Sequence, residues 1–226
     1  MDIAVFAGQG AQFVGMGRDL SEKFSECEKL FREADEELGF SISGICFEGP
    51  EEELTKSNNC QPAIFVTSAA CFRAFEKVFG SNPFKGTAGL SLGESTALHI
   101  SGAISFRDTV KVLEARGRFM QEACDKTDGG MVSVIGLEPD KVSEISQKSG
   151  LQMANINSSG QIVLSGEKSL IPEAERLAAE AGAKKTVVLN VAGAYHSKLM
   201  DEAADKLAGF LEDIEIRTPD VPVMSN

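Results

Sequence analysis

Ser91 stands in Gly89-Leu90-Ser91-Leu92-Gly93, a G-x-S-x-G sequence, and a serine flanked in this way is suited to attack acyl groups. The glycines leave room for a sharp strand-to-helix turn that lifts Oγ clear of neighbouring side chains. A helix starting there offers backbone N–H groups with no partner in the helix and the positive end of its dipole. The N–H of Leu92 can therefore meet an oxyanion forming on an acyl group at Ser91. Five-residue matches are common by chance, and the bland alternative is a glycine-flanked serine in an ordinary turn.

A serine nucleophile needs a base, and the chain has two histidines, His99 and His196. His99 follows Ser91 in the same expected helix, roughly 12 Å along its axis, and reads as a packing side chain. His196, in Val191-Ala192-Gly193-Ala194-Tyr195-His196-Ser197, is the base by elimination, provided Ser91 is a nucleophile; a lone histidine is more often structural. Gly8-Gln9-Gly10-Ala11-Gln12 fails the dinucleotide fingerprint, because position 13 is Phe, and lacks the Lys-Ser/Thr of a phosphate loop. At a strand end it can instead present the Gln9 N–H as a second oxyanion donor, the alternative being a plain tight turn. Arg116 has Val112, Leu113, Phe119 and Met120 three and four residues away, which places it on an apolar helix face. Arg118, among Glu114, Ala115, Gln121 and Glu122, lies on a solvated one. An inward arginine needs an anion or acceptors, so Arg116 is either half of an internal salt bridge or a clamp for a substrate carboxylate.

The elements that must carry these residues follow from hydrophobic spacing. A buried strand at 3–7 runs into the glycine loop. One helix is predicted from about 17 to 38, with Leu20, Phe24, Cys27, Phe31, Ala34 and Leu38 on one face. A second, 61–79, opens with Pro62 in its first turn. A strand at 87–89 feeds the serine turn, helices follow at 94–100 and 105–124, and the order then changes. Residues 131–136, 139–149, 151–155, 161–164, 170–181 and 186–189 read strand, helix, strand, strand, helix, strand, which is the split-βαβ, ferredoxin-like order. A helix at 197–211 and a strand at 221–224 close the chain. The fold class is therefore α/β, with a large subdomain formed by 1–126 and 194–226 and a small βαββαβ subdomain inserted at 127–193.

Composition bounds the function. The 226 residues hold 22 Lys and Arg against 34 Asp and Glu, a net charge of −12, which argues against a general nucleic-acid binder. Five cysteines, an odd number with no C-x-x-C, read as reduced thiols in a cytoplasmic protein. The start MDIAVFAGQG has no basic region before its apolar stretch, and no apolar run approaches a bilayer span.

Together GQGAQ (8–12), QPAIF (61–65), GLSLGE (89–94), EARGRFMQ (114–121), NINSSGQIVLSG (155–166) and AYHSKLM (194–200) resemble the malonyl-CoA:acyl-carrier-protein transacylases and the acyltransferase domains of fatty-acid and polyketide synthases. The resemblance runs in order along essentially the whole chain. It implies an α/β-hydrolase-like large subdomain with the ferredoxin-like one inserted. It implies Ser91 as the acylated nucleophile, His196 as base and later acid, and the N–H groups of Gln9 and Leu92 as the oxyanion hole. Arg116 would pair with the malonyl carboxylate, and Leu92 is a type associated with malonyl selection. Implied partners are a coenzyme A thioester and acyl carrier protein, with no cofactor, metal, nucleic acid or membrane; the protein is expected to be a cytoplasmic monomer.

Leu90 stands where the family usually has His, and Tyr195 where it has Phe. Family members continue past residue 226, so the C-terminal part of the large subdomain, with the group that orients the histidine, is expected to be missing here. The strand directly after Met1 suggests a stand-alone enzyme. Lys85, Lys184, Lys185 and Lys198 are candidate contacts for an acidic carrier. The rival expectations are a domain of a polyketide-type synthase, a serine thioesterase or hydrolase on acidic acyl-CoA, and a carrier-binding module without catalysis.

Overall fold

Three short parallel strands organise the first half of the chain in the computed structural model, which describes residues 2–226. Strand β1 (Ala4–Phe6) pairs with β2 (Thr87–Gly89), which pairs with β7 (Val223–Met224), in the order β1-β2-β7. Phe6 lies opposite Gly89 and Met224 opposite Ala88, so all three strands point the same way and their C-terminal ends share one edge. That edge is where open α/β sheets place their ligands. The sheet belongs to a compact unit formed by Met1–Arg118 and Leu207–Asn226.

Its main core lies on helix α5 (Ser57–Phe79), whose Ala63, Ile64, Phe65, Val66, Ala69 and Ala70 are all buried. Helices α1 (Arg18–Lys23) and α2 (Ser25–Leu38) replace the single helix predicted there. Phe24 between them is extended, at φ −126° and ψ 115°. The break keeps Leu20, Phe24, Cys27 and Phe31 against the same core, so the apolar spacing survives it and could not reveal it. Two further short helices, α3 (Ile42–Glu48) and α4 (Glu51–Thr55), were not predicted. The Ser41 hydroxyl caps α3 by accepting from Gly44 N–H at 3.1 Å, and Ile42, Cys46 and Leu54 are buried. Helix α5 begins four residues before Gln61, so Pro62 lies inside it and not in its first turn. The Asn59 amide, which donates to Glu53 O at 2.9 Å, ties that early turn to α4.

Helix α6 (Leu92–Ile100) follows β2, and α7 (Phe106–Lys126) comes next. A reciprocal Ser105–Asp108 box starts α7, with Asp108 N–H donating to Ser105 Oγ at 3.1 Å and that hydroxyl donating back at 2.6 Å.

The second compact unit is Phe119–Lys206. Its elements are β3 (Gly129–Ile135), α8 (Pro139–Ser149), β4 (Gln152–Ser158), β5 (Gln161–Glu167), α9 (Ile171–Glu180) and β6 (Lys185–Val188). The sheet order is β4-β5-β3-β6, antiparallel throughout, which is the ferredoxin-like arrangement. Strand alternation explains its two faces. Val132, Val134, Ile162 and Leu164 pack on Val142, Ile145, Ile171 and Ala174 of the two helices. Met131 and Val163, on the opposite face, join Met120, Tyr195 and Met200. Helix α10 (Asp201–Leu211) starts later than the predicted residue 197. A turn of 3₁₀-helix, Lys198–Met200, precedes it, capped by Ser197 Oγ. Among the described residues no helix is long and apolar enough to cross a membrane.

Candidate active site

The nucleophile turn is built by close backbone approach. A Cβ added at Gly89 would lie 2.1 Å from the Gly93 carbonyl and 2.6 Å from Glu94 N. One added at Gly93 would lie 2.4 Å from Phe6 O and 2.8 Å from Ala7 O. Only glycine allows helix α6 to begin so tightly against the ends of β1 and β2. Ser91 occupies the N-cap position of that helix at φ 52° and ψ −109°, with no capping bond from its side chain. A non-glycine residue with positive φ costs on the order of 1–3 kcal/mol and is held only where its surroundings over-determine it. Two non-glycine residues have positive φ among those described, Ser91 and His196. They are the two residues that the sequence singles out as nucleophile and base.

Leu92 is the first residue of α6, so its N–H has no carbonyl one turn back to bond and lies beside Ser91. Gly8, just beyond β1, approaches the same turn: its added Cβ would sit 2.6 Å from Leu90 O. Gln9, next in the chain and exposed, therefore shares the sheet edge with Ser91.

Arg116 reaches this turn from α7. Its Nη2 donates to Ser91 Oγ at 2.9 Å and its Nη1 to Gln61 Oε1 at 2.6 Å. Gln61 is wholly buried, so its amide fixes one prong of the guanidinium and aims the other at the nucleophile. Sequence reading assigns Gln61 no role, since its helical neighbours are the polar Ser57 and Asn58 on one side and Ile64 and Phe65 on the other, which marks no distinct face. It also missed Asn226, whose side chain accepts from Ser91 N–H at 3.1 Å.

Ser91, Leu92, Gln9 and Arg116 are thus gathered in the first unit. His196 belongs to the second unit, exposed, between the buried Tyr195 and Ser197. Ser197 Oγ donates to Ala194 O at 2.7 Å and braces the turn that carries it. His99 packs edge-on against Phe65, ring centroids 5.3 Å apart, with Nδ1 3.1 Å from Ile104 O. Burial holds its imidazole below the ordinary histidine range. Arg118 pairs with Glu114 at 3.1 Å on an exposed face. The five cysteines are free, and burial pushes the thiols of Cys46 and Cys60 up to about 12, so Cys60 beside Gln61 stays protonated and is no rival nucleophile.

A strained serine on a glycine elbow, at the N-cap of a helix on the C-terminal edge of a parallel sheet, places the chain in the class of elbow-type α/β acyl-transfer enzymes. The model of the acyl transferase domain family matches residues 3–226. The malonyl CoA-acyl carrier protein transacylase of Bacillus subtilis (strain 168) is 42% identical over 98% of this chain and 71% of its own length. The crystal structure of the enzyme of that name from Clostridium perfringens is 41% identical, with a TM-score of 0.93 over 99% of this chain and 71% of that one. A malonyl-transacylase solved in complex with its type II PKS acyl-carrier protein is 39% identical, with a TM-score of 0.92 over 99% of this chain and 74% of that one. The chain belongs to the acyl transferase family, among the malonyl CoA-acyl carrier protein transacylases.

Proposed function

We propose that this protein moves a malonyl group from coenzyme A to the phosphopantetheine thiol of acyl carrier protein, in fatty acid synthesis, through an ester on Ser91. The observation that carries the reading is the Arg116 guanidinium, 2.9 Å from Ser91 Oγ. A cationic fork at the nucleophile suits an acyl group that ends in a carboxylate. Malonyl on Ser91 would take over the prong that now meets Oγ, while Gln61 keeps the other.

The reaction balances in two halves. His196 takes the Ser91 hydroxyl proton as Oγ attacks the thioester carbonyl, and the N–H groups of Leu92 and Gln9 receive the oxyanion. The C–S bond then breaks, and the coenzyme A sulfur leaves with the proton from His196. In the second half the carrier thiol gives its proton to His196 and attacks the ester. The C–O bond breaks and Ser91 recovers the proton. Neither half changes an oxidation state, so the chemistry requires no redox group. The names of the relatives and the carrier-bound neighbour support both substrates.

Intact-mass measurement after mixing with malonyl-CoA tests the reading. The protein is expected to gain the mass of one malonyl group, and Ser91→Ala to gain none. No gain in the wild type, or an equal gain in Ser91→Ala, would sink it.

A further inference from the structure

The amide of Asn226 makes a pattern of bonds that belongs to a β-sheet. Its Oδ1 accepts from Ser91 N–H at 3.1 Å and its Nδ2 donates to Gly89 O at 2.8 Å. In a parallel ladder one residue donates its N–H to the C=O of residue i and accepts at its C=O from the N–H of residue i+2 on the neighbouring strand. Asn226 does the same with a side chain, two residues past the end of β7. The ladder of β7 on β2 thereby continues beyond Met224 to the nucleophile itself.

The segment that leads into β7 and delivers Asn226 is itself anchored. Arg217 N–H donates to Ala103 O at 2.9 Å, Asp220 N–H to Ser101 O at 2.7 Å, and Thr87 N–H to Pro222 O at 2.9 Å. Glu94, in the first turn of α6, then settles the orientation of the amide. A carboxylate only accepts, and Glu94 Oε2 takes the Asn226 Nδ2 at 2.6 Å. The nitrogen must therefore face Glu94, and the oxygen faces Ser91. Ser225 Oγ donates to Glu94 Oε1 at 2.6 Å and holds the carboxylate from its other side.

We infer that Asn226, oriented by Glu94, is a positioning residue that locks the Ser91 backbone in its left-handed turn. Rotation of the peptide before Ser91 would relieve its unfavourable φ and would also redirect Oγ and the Leu92 N–H. The bond from Ser91 N–H to Asn226 opposes that rotation. The inference rests on Ser91 being the nucleophile, as proposed above, but not on the acyl group being malonyl.

The test uses the protein with Asn226→Ala, Asn226→Asp, and Asn226→Asp combined with Glu94→Gln. Two rates are read: single-turnover acylation by malonyl-CoA at saturation, and labelling of Ser91 by a fluorophosphonate. Asn226→Ala is expected to lower both about tenfold to a hundredfold, the scale of a misplaced reacting group. The malonyl-CoA concentration for half-maximal acylation should stay within about threefold. Asn226→Asp keeps the acceptor for Ser91 but sets two carboxylates against each other and should be slow. Glu94→Gln in that background supplies a donor and should recover part of the loss. These two variants match in side-chain size, so their comparison holds even if Asn226→Ala loses stability.

Wild-type rates in Asn226→Ala would overturn the assignment. A double variant no faster than Asn226→Asp would overturn the role of Glu94. A wild type that takes the fluorophosphonate but no malonyl would instead defeat the malonyl reading and leave the clamp standing.

Discussion

Arg116 divides its guanidinium between a buried amide and the nucleophile, and on the proposed reading selectivity for malonyl rests on that one side chain. Removing a charge-assisted hydrogen bond costs about 1.5–3 kcal/mol, or roughly tenfold to a hundredfold in kcat/KM. Arg116→Ala should lose that factor with malonyl-CoA and much less with acetyl-CoA, which has no carboxylate. The malonyl-to-acetyl ratio is the measurement, because a general loss of activity from breaking the bond to Gln61 cancels in it; an unchanged ratio would remove Arg116 from recognition. His196 carries a different expectation. General acid–base catalysis contributes about 10²–10⁴-fold, so His196→Ala should lower the acylation rate by that factor. Stopped-flow or quench measurements at saturating malonyl-CoA check this, and a variant that acylates at the wild-type rate would assign the proton to another group.

At the scale of elements, the turn between β2 and α6 depends on backbone passing backbone without a side chain between. Gly93→Ala puts a methyl group 2.4 Å from Phe6 O. Overpacking of this kind costs about 1–3 kcal/mol or more, so the melting temperature should fall by several degrees, about 2–4 °C per kcal/mol for a chain of this size. An unchanged melting temperature would show that β1 and α6 are not pressed together as described. The C-terminal end of α6 answers to pH through His99. Its imidazole is held below the ordinary histidine range, first by burial, so the unfolded chain takes up a proton before the folded one does. Stability contributed there is complete above the ordinary range and lost as the pH falls through it. Melting between about pH 7.5 and about pH 5.5 should drop less in His99→Gln than in the wild type; equal drops would place the proton elsewhere.

The elbow was legible in the chain because the strand before and the helix after the glycine-flanked serine have clear periods; the five residues alone match too often by chance. The inward face of Arg116 was legible for a similar reason, since four apolar neighbours at helical spacing leave little choice. The break at Phe24 was not, because both helices keep the same spacing across it. The short α3 and α4 were hidden by an internal Gly44 and by the acidic run Glu51–Glu53, neither of which shows an amphipathic period. Pro62 misled because proline usually marks a helix start. Asn226 was out of reach for a deeper reason: its role exists only once β7 lies beside β2, a pairing of segments far apart in sequence.

Over the whole molecule, each unit closes its own core: a helical one around α5 beside a small parallel sheet, and a two-faced antiparallel sheet. The net charge of −12 sets a condition on any acidic partner, which must meet local basic residues and not the mean field of the protein. On the proposed reading, malonyl waits on Ser91 between donor and acceptor. The most direct measurement isolates the malonyl-loaded protein, adds acyl carrier protein bearing its phosphopantetheine, and follows both intact masses with time. The carrier is expected to gain the malonyl group as the enzyme loses it, and the loaded enzyme to persist in buffer alone. Loss of malonyl to water at the same rate with and without the carrier would overturn that reading.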